Sequence, residues 1–174
     1  MKKMWLVACA LWLAPVACEK IQDKAAAPAN PGSSENAKGG VTGIDASSIN
    51  VANAVVKSVS GETVSYAVEV AKTSDERKQG LQNREALAED HGMWFVFEND
   101  VQEAFWMKDT KVALDIIFVG ADHKIVDFVE GAKPNSTDLL FSKLPYRYTL
   151  EVSAGQIAKH HFQVGDTIEF RVGS

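Results

Sequence analysis

Short apolar runs alternate with turn-forming residues along the chain from about residue 51 onward. The clearest run, 64–70, alternates apolar and polar positions with a period of two, which is the pattern of a half-buried strand. Further runs of strand length follow it at 92–98, 101–107, 114–119, 124–130, 146–152 and 167–172. Turn-forming residues at 98–100 and 120–123 separate some of these runs. The pattern therefore predicts about seven short strands.

Two short helices are predicted between the strands. Thr73 and Glu76 have the spacing of a capping box, and Gly80 follows at the position where helices commonly end. The segment 153–161 predicts a second helix, and the segment 131–145, which contains two prolines, predicts an exposed loop. So many strands with so few helices predict a mainly β fold, namely a small antiparallel barrel or sandwich.

The first 50 residues have a different composition. Two lysines precede an apolar run from Met4 to Ala17, which is too short to span a bilayer comfortably but suits an export signal. The following segment is rich in Ala, Pro, Gly, Ser and Asn and cannot bury enough apolar surface to fold. We therefore predict a signal peptide (1–17), a flexible linker (18–50) and a single mainly β domain (51–174).

The position of Cys18 predicts a lipid anchor. The residues Val16-Ala17-Cys18-Glu19 resemble a bacterial lipoprotein processing site, in which the cysteine becomes the lipid-modified first residue, although Pro15 stands where Leu is usual. The alternative is ordinary cleavage after Ala17. The only other cysteine, Cys9, lies within the signal. We expect an exported protein held by its lipid on the periplasmic side of a bacterial membrane, the outer membrane.

Charge and motifs exclude several classes of function. The chain has 174 residues, with 18 basic and 23 acidic side chains and a net charge of -5, which disfavours a nucleic-acid partner. Its four histidines show no metal-binding spacing, and no nucleotide-binding or hydrolase motif is present. We therefore expect no metal, no cofactor and no nucleic acid.

Asp115 is the most unusual residue of the strand candidates. It lies in the run 114–119, whose two faces are otherwise apolar, so its carboxylate requires hydrogen bonds or an ionic partner. We predict that Asp115 is ionised, accepts hydrogen bonds from the turn 108–111, and thereby orients Trp106. Candidate ionic partners are Arg84, Lys108 and Arg147. A functional role is the alternative, because carboxylates with shifted pKa values collect at sites.

Two tryptophans suggest a binding surface. Trp106 and Trp94 both lie on strand faces of mixed polarity, and such a pair could stack against a sugar, a peptide or another small ligand. The polar residues Lys108, Asp109 and Thr110, beside Trp106, complete the predicted binding site. The alternative is that the tryptophans pack under a helix or a loop.

Three hypotheses for function remain open. We favour a membrane-tethered domain of the cell envelope that binds a small molecule or a protein partner. The second is a hydrolase-type enzyme in which Asp115 and Glu151 supply acid–base chemistry, with Arg84 as a further catalytic candidate. The third is a structural domain that interacts with another envelope protein.

Several sequence motifs, in their order along the chain, resemble those of the domain-of-unknown-function family 192, a family of bacterial and archaeal proteins, many of them exported. They are YAVEVAKTSDERKQGL, HGMWFVF, FWMKDTKVALDIIF, YTLEVSAG and VGD, between Val64 and Phe170. The resemblance implies a compact, mainly β fold and no established activity, ligand or catalytic residue. Family members commonly have Met after the Gly-Leu pair, whereas this chain has Gln82, so this position is more polar here.

Overall fold

The computed structural model describes residues 52–172, which form one seven-stranded sheet and two short helices. The strands are β1 (Ala52–Lys57), β2 (Thr63–Ala71), β3 (His91–Val101), β4 (Leu114–Val119), β5 (Ile125–Ala132), β6 (Tyr146–Ser153) and β7 (Thr167–Val172). The helices are α1 (Ser74–Gln79) and α2 (Gln156–His160). The mainly β fold is therefore confirmed. The predicted signal peptide, Cys18 and the linker lie outside the described residues.

The sheet is curled into a half-barrel with the strand order β5-β4-β6-β3-β2-β1-β7. Neighbouring strands are antiparallel except β2 and β3, which are parallel. The two edge strands approach each other at one isolated bridge, between Lys124 and Thr167. Two backbone hydrogen bonds of 2.8 Å support this seam, from Ile125 N to Asp166 O and from Ile168 N to His123 O.

The sheet has an apolar cluster on each face. The cluster on one face includes Ile125 from β5 and Ile168 from β7, the two edge strands, so this is the inner face of the curl. Helix α2 covers it through Ile157. The other cluster, on the outer face, is covered by loops that contribute Leu81 and Met107. Polar side chains on either face must therefore find partners within a packed layer.

The capping box predicted for α1 is confirmed. The Glu76 backbone N–H donates to Thr73 Oγ1 over 3.2 Å, and the Thr73 N–H donates to Glu76 Oε2 over 2.8 Å. The N–H groups of Thr73 and Lys72 also hold the pKa of Glu76 below its usual value. The helix ends at Gly80, whose φ of 47° suits a residue without a side chain. Neither helix within residues 52–172 is long and apolar enough to cross a bilayer.

Three sequence predictions were wrong in detail. Strand β3 continues to Val101 through the predicted turn at 98–100, because an irregularity between Val96 and Val101 accommodates these polar residues. The predicted strand 101–107 contains only a single bridge, at Phe105. Helix α2 is shorter than predicted, since β6 extends to Ser153. Strand β1 was missed.

Candidate functional site

Trp94 belongs to the core and cannot bind a ligand. Only 1% of its surface is exposed, and its ring stacks against Tyr148 and Phe170, with ring centroids 5.3 and 5.5 Å away. The prediction that Trp94 forms part of a binding surface is therefore wrong. Glu98, which would share a face with Trp94 in a regular strand, lies within the irregularity between Val96 and Val101 and is exposed.

Trp106 lies at the surface, as a binding residue must. It is 47% exposed, and Lys108 Nζ lies 5.6 Å from the centroid of its ring. Asp109 adopts a positive φ of 57°, and its carbonyl accepts a hydrogen bond from Asn83 N over 2.8 Å. Thr110 is buried, and its backbone N–H donates to Met107 O. The residues that follow Trp106 therefore form a turn that is bonded to a neighbouring loop.

Asp115 accepts hydrogen bonds from the backbone around α2 and from the end of β5. Its Oδ2 accepts from Gly155 N over 3.0 Å and from Ile157 N over 2.9 Å, and its Oδ1 accepts from Gly131 N over 2.8 Å. The prediction that Asp115 bonds the turn 108–111 is wrong. Its side chain lies on the inner face of the sheet with Ile117, whereas the turn follows Met107 of the outer cluster.

None of the three cations suggested by the sequence is bonded to Asp115. Arg84 pairs with Glu69, Arg147 pairs with Asp100 over 2.8 Å, and Lys108 lies over Trp106. The donors to Asp115 are instead uncharged backbone N–H groups. At the start of α2, Tyr66 Oη donates to Gln156 Oε1 over 3.3 Å. Burial raises the pKa of Tyr66, and the negative charges of Asp115 and Glu62 add to this effect.

Glu151 lies on the other face of the sheet. In the register of β6 it stands between Met93 of β3 and Ile116 of β4, both in the outer cluster. Its side chain is 5% exposed and has no hydrogen-bond partner among residues 52–172, and burial raises its pKa to about 8. Asp115 pairs with Val152, the next residue of β6, so the two carboxyl groups point to opposite faces. The predicted acid–base pair is therefore wrong.

An ion pair between Arg84 and Glu69 divides a surface groove. Arg84 Nη1 and Nη2 donate to the two carboxylate oxygens of Glu69 over 2.5 and 2.6 Å, and about a third of each side chain is exposed. A hollow of about 310 Å³ lies on one side of the pair and one of about 390 Å³ on the other. We call the two hollows together the Arg84 groove.

The walls of the Arg84 groove are largely apolar. The smaller hollow is lined by Ala67, Val68, Ala86, Leu87, Ala88, His91 and Gly92, and the larger one by Val70, Ala71, Asp75, Glu76, Gln79, Gly80 and Met93. Arg84 and Glu69 line both hollows, and the larger hollow also carries the polar side chains of Asp75, Glu76 and Gln79. Apolar walls with a few polar groups are typical of small-molecule sites. Strand β2 and the loop after α1 bring the two partners together.

The remaining candidates do not form a site of this kind. A hollow of about 500 Å³ lies at the seam beside His123, and its charged residues Glu169 and Arg171 pair with each other over 2.6 Å. His91 and His160 each pair with one carboxylate, of Asp90 and Glu62, at 2.7 and 2.8 Å. Within residues 52–172, no three acidic, His or Cys side chains cluster as metal ligands do.

Sequence reasoning named Arg84 but missed its partner. Glu69 lies in the alternating run 64–70, where a single carboxylate is expected to point to solvent. No sequence signal identifies this partner, because the arrangement depends on the parallel pairing of β2 with β3. That pairing sets Glu69 beside Met93 on the outer face. Parallel neighbours are rare in a mainly antiparallel sheet, so alternation alone does not predict them.

Comparisons with known proteins agree with the fold. The family model DUF192, described as an uncharacterized ACR, matches residues 55–170. A crystal structure of a Sinorhizobium meliloti protein, proposed to be a transcription regulator, is 34% identical with a TM-score of 0.68, covering 70% of this chain and 95% of that one. A protein of unknown function from Novosphingobium aromaticivorans is 32% identical with a TM-score of 0.65, covering 67% and 83%. No match was found among curated proteins.

Proposed function

The chain belongs to the domain-of-unknown-function family 192, and from this premise we propose that it is a lipid-anchored binding domain of the cell envelope. Its ligand is a small molecule, or a short segment of a partner protein, held in the Arg84 groove. The observation that carries the proposal is the bidentate Arg84–Glu69 pair between two hollows, of which the smaller has mainly apolar walls. Such a pair offers one fixed polar anchor to a ligand with an otherwise apolar body.

The geometry favours binding over catalysis. The two carboxyl groups suggested for acid–base chemistry, Asp115 and Glu151, point to opposite faces of the sheet and cannot act on one substrate. Both groups are more than nine-tenths buried, and neither lines the Arg84 groove. Arg84, the third catalytic candidate, is paired with Glu69 in the described structure.

Charge disfavours a role on DNA, although one similar protein is proposed to be a transcription regulator. Residues 52–172 contain 13 Lys and Arg side chains and 19 Asp and Glu side chains, which leaves a net charge of -6. A DNA-binding surface needs clustered cations that neutralise phosphates. In the Arg84 groove the only Lys or Arg is already neutralised by Glu69, and Asp75 and Glu76 add negative charge.

We expect Arg84→Met to abolish ligand binding with little loss of stability. A thermal-shift screen of metabolites and peptides against residues 19–174 should find compounds that raise the melting temperature of the wild-type protein, because a ligand stabilises the state that it binds. Arg147→Met is the matched control, since Arg147 is similarly exposed and also forms an ion pair, but lies outside the groove. A hit that stabilises both variants equally would place the ligand elsewhere and contradict the groove.

The predicted anchor is tested separately. We expect mass spectrometry of the membrane fraction to find a mature chain that begins at Cys18 and carries two or three acyl chains, because Cys18 follows the apolar run of the signal. Cys18→Ser should release the protein into the soluble periplasmic fraction, since one residue carries the whole anchor. A soluble wild-type chain that begins with an unmodified Cys18 would contradict the anchor while leaving the groove untouched.

A further inference from the structure

Four large apolar side chains are exposed close together on two loops of the outer face. Trp106 belongs to the loop after β3, and the loop before β6 contributes Leu139, Phe141 and Leu144. Their exposed fractions are 47%, 57%, 56% and 51%, respectively. We call them the Trp106 patch. Among the described residues only Val59, Val164 and Val172 are large apolar side chains with comparable exposure, and they lie on other elements.

The two loops are joined by their backbones. Phe105 and Leu140 form an antiparallel bridge, with hydrogen bonds of 2.9 Å from Phe105 N and 2.8 Å from Leu140 N. Phe105 and Leu140 pack against the outer cluster. Side chains alternate along extended backbone, so Trp106 and Leu139, which are the neighbours of Phe105 and Leu140 in the two bridged segments, project away from that cluster. The bridge therefore fixes a surface of aromatic and aliphatic side chains in place.

The charge around the patch differs from that of the whole domain. The segments 105–111 and 133–144 together contain four lysines and two acidic residues, and two of the lysines, Lys111 and Lys143, pair with Glu85 and Asp127 outside these segments. The surface around the patch is therefore close to neutral in a domain of -6. Lys108 lies over the ring of Trp106, and the side chain of Lys143 is 89% exposed. Tryptophan beside lysine is the combination found where proteins meet the bilayer interface, because the ring enters the headgroup region and the ammonium group reaches lipid phosphates.

We propose that the Trp106 patch rests on the bilayer to which the protein is anchored, and inserts Trp106, Leu139 and Phe141 among the lipid headgroups. The inference rests on the proposed anchor at Cys18. The domain then has a fixed side toward the membrane.

The chain that precedes the described residues favours a lipid surface over a second copy or a separate protein. The composition of residues 18–50 predicts a flexible linker, and a flexible chain of this length would reach on the order of 30 Å. A domain held so close to a bilayer meets it at a high effective concentration. Even a weak affinity of a few side chains for the bilayer then keeps much of the protein in the membrane-bound state. A soluble partner has no such advantage.

Vesicle binding of residues 19–174 tests the patch without the anchor. All seven strands and both helices lie between residues 52 and 172, so this chain retains every described element. We expect it to partition onto vesicles of phosphatidylethanolamine, with or without added phosphatidylglycerol, because the insertion is mainly apolar. Brominated lipids should quench Trp106, and the quenching should disappear in Trp106→Phe, because Trp94 is buried. Replacing both Leu139 and Phe141 by Asp should weaken partitioning by about tenfold or more.

The double variant Val59→Asp, Val164→Asp is the matched control, since these exposed apolar residues lie outside the patch. It should bind vesicles as the wild type does. An equal loss in both double variants, or no binding to either lipid mixture, would overturn the proposal. So would a dimer in light scattering that becomes monomeric only in the patch variant, because a second copy would then cover the patch. Failure of the anchor would appear in the mass of Cys18 and would not affect this test.

Discussion

Glu151→Gln is expected to stabilise the protein, by roughly 2–4 kcal/mol at pH 7. The carboxyl group of Glu151 is buried on the outer face and has no hydrogen-bond partner among the described residues, and burial raises its pKa from 4.5 to about 8. At pH 7 the carboxyl group must therefore take up a proton when the chain folds. This uptake costs about 1.4 kcal/mol of folding free energy for each pH unit above the unfolded pKa. Gln is neutral at every pH and avoids this cost.

The gain from Glu151→Gln should depend on pH in a defined direction. Below pH 4.5 the carboxyl group is protonated in both states, so the two proteins should be nearly equally stable. The difference should grow as the pH rises from 4.5 to 8 and then become constant, because both states are ionised above the folded pKa. Urea denaturation between pH 4 and 9 measures it. Glu130→Gln, at an exposed position of β5, is the control and should show no such trend. Destabilisation at pH 8 would contradict the prediction.

Asp115→Asn is expected to cost about 2–4 kcal/mol of unfolding free energy. The oxygen of Asn can still accept from Gly155 N and Ile157 N, but its NH₂ group would then face the Gly131 N–H, where a donor meets a donor. Asp115→Ala should cost more, about 3–5 kcal/mol, because three N–H groups lose their acceptor. Chemical denaturation at pH 7 measures both changes.

Asp115 also holds the start of α2, and this gives a second readout. Hydrogen exchange of the Gly155 and Ile157 amides should accelerate in Asp115→Asn more than exchange in β2, which lies across the sheet. Asp127→Asn is a suitable comparison, because Asp127 also accepts backbone N–H groups, of Phe128 and Lys143, but at the partly exposed edge strand. If Asp115→Asn left both stability and exchange unchanged, the carboxylate would not be the anchor of α2.

Features that depend on a single strand or helix could be predicted from the sequence. The run 114–119 is apolar on both faces apart from Asp115, which predicts that both faces are buried and that Asp115 needs hydrogen-bond donors, and the structure supplies three. The capping box of α1 is equally local and was predicted correctly. Strand β1 was missed although its inward residues Ala52, Ala54 and Val56 alternate, because alanines carry a weak hydrophobic signal.

Properties that depend on the register between distant strands could not be predicted. The donors to Asp115 lie 16 to 42 residues further along the chain, and only the pairing of β4 with β6 brings two of them close. The same register, with Asp115 beside Val152, places Asp115 and Glu151 on opposite faces, although each is a carboxylate within a predicted strand. The burial of Trp94 likewise depends on which face of the sheet curls inward, and this is the face that carries Trp94. A single sequence specifies the period of each strand but not its neighbours.

The pairing of β1 with β7 determines when this domain can fold. Its outermost partners are Ala52 with Val172 and Lys57 with Thr167, so each pair joins residues 110 to 120 positions apart. Such distant contacts are slow to form, and β1 cannot pair with its outer neighbour until residues 167–172 have been synthesised. In the export that we propose, this late closure would delay folding until residues 167–172 are available. A chain truncated before residue 167 would leave β1 as an open edge, ready to pair with another molecule.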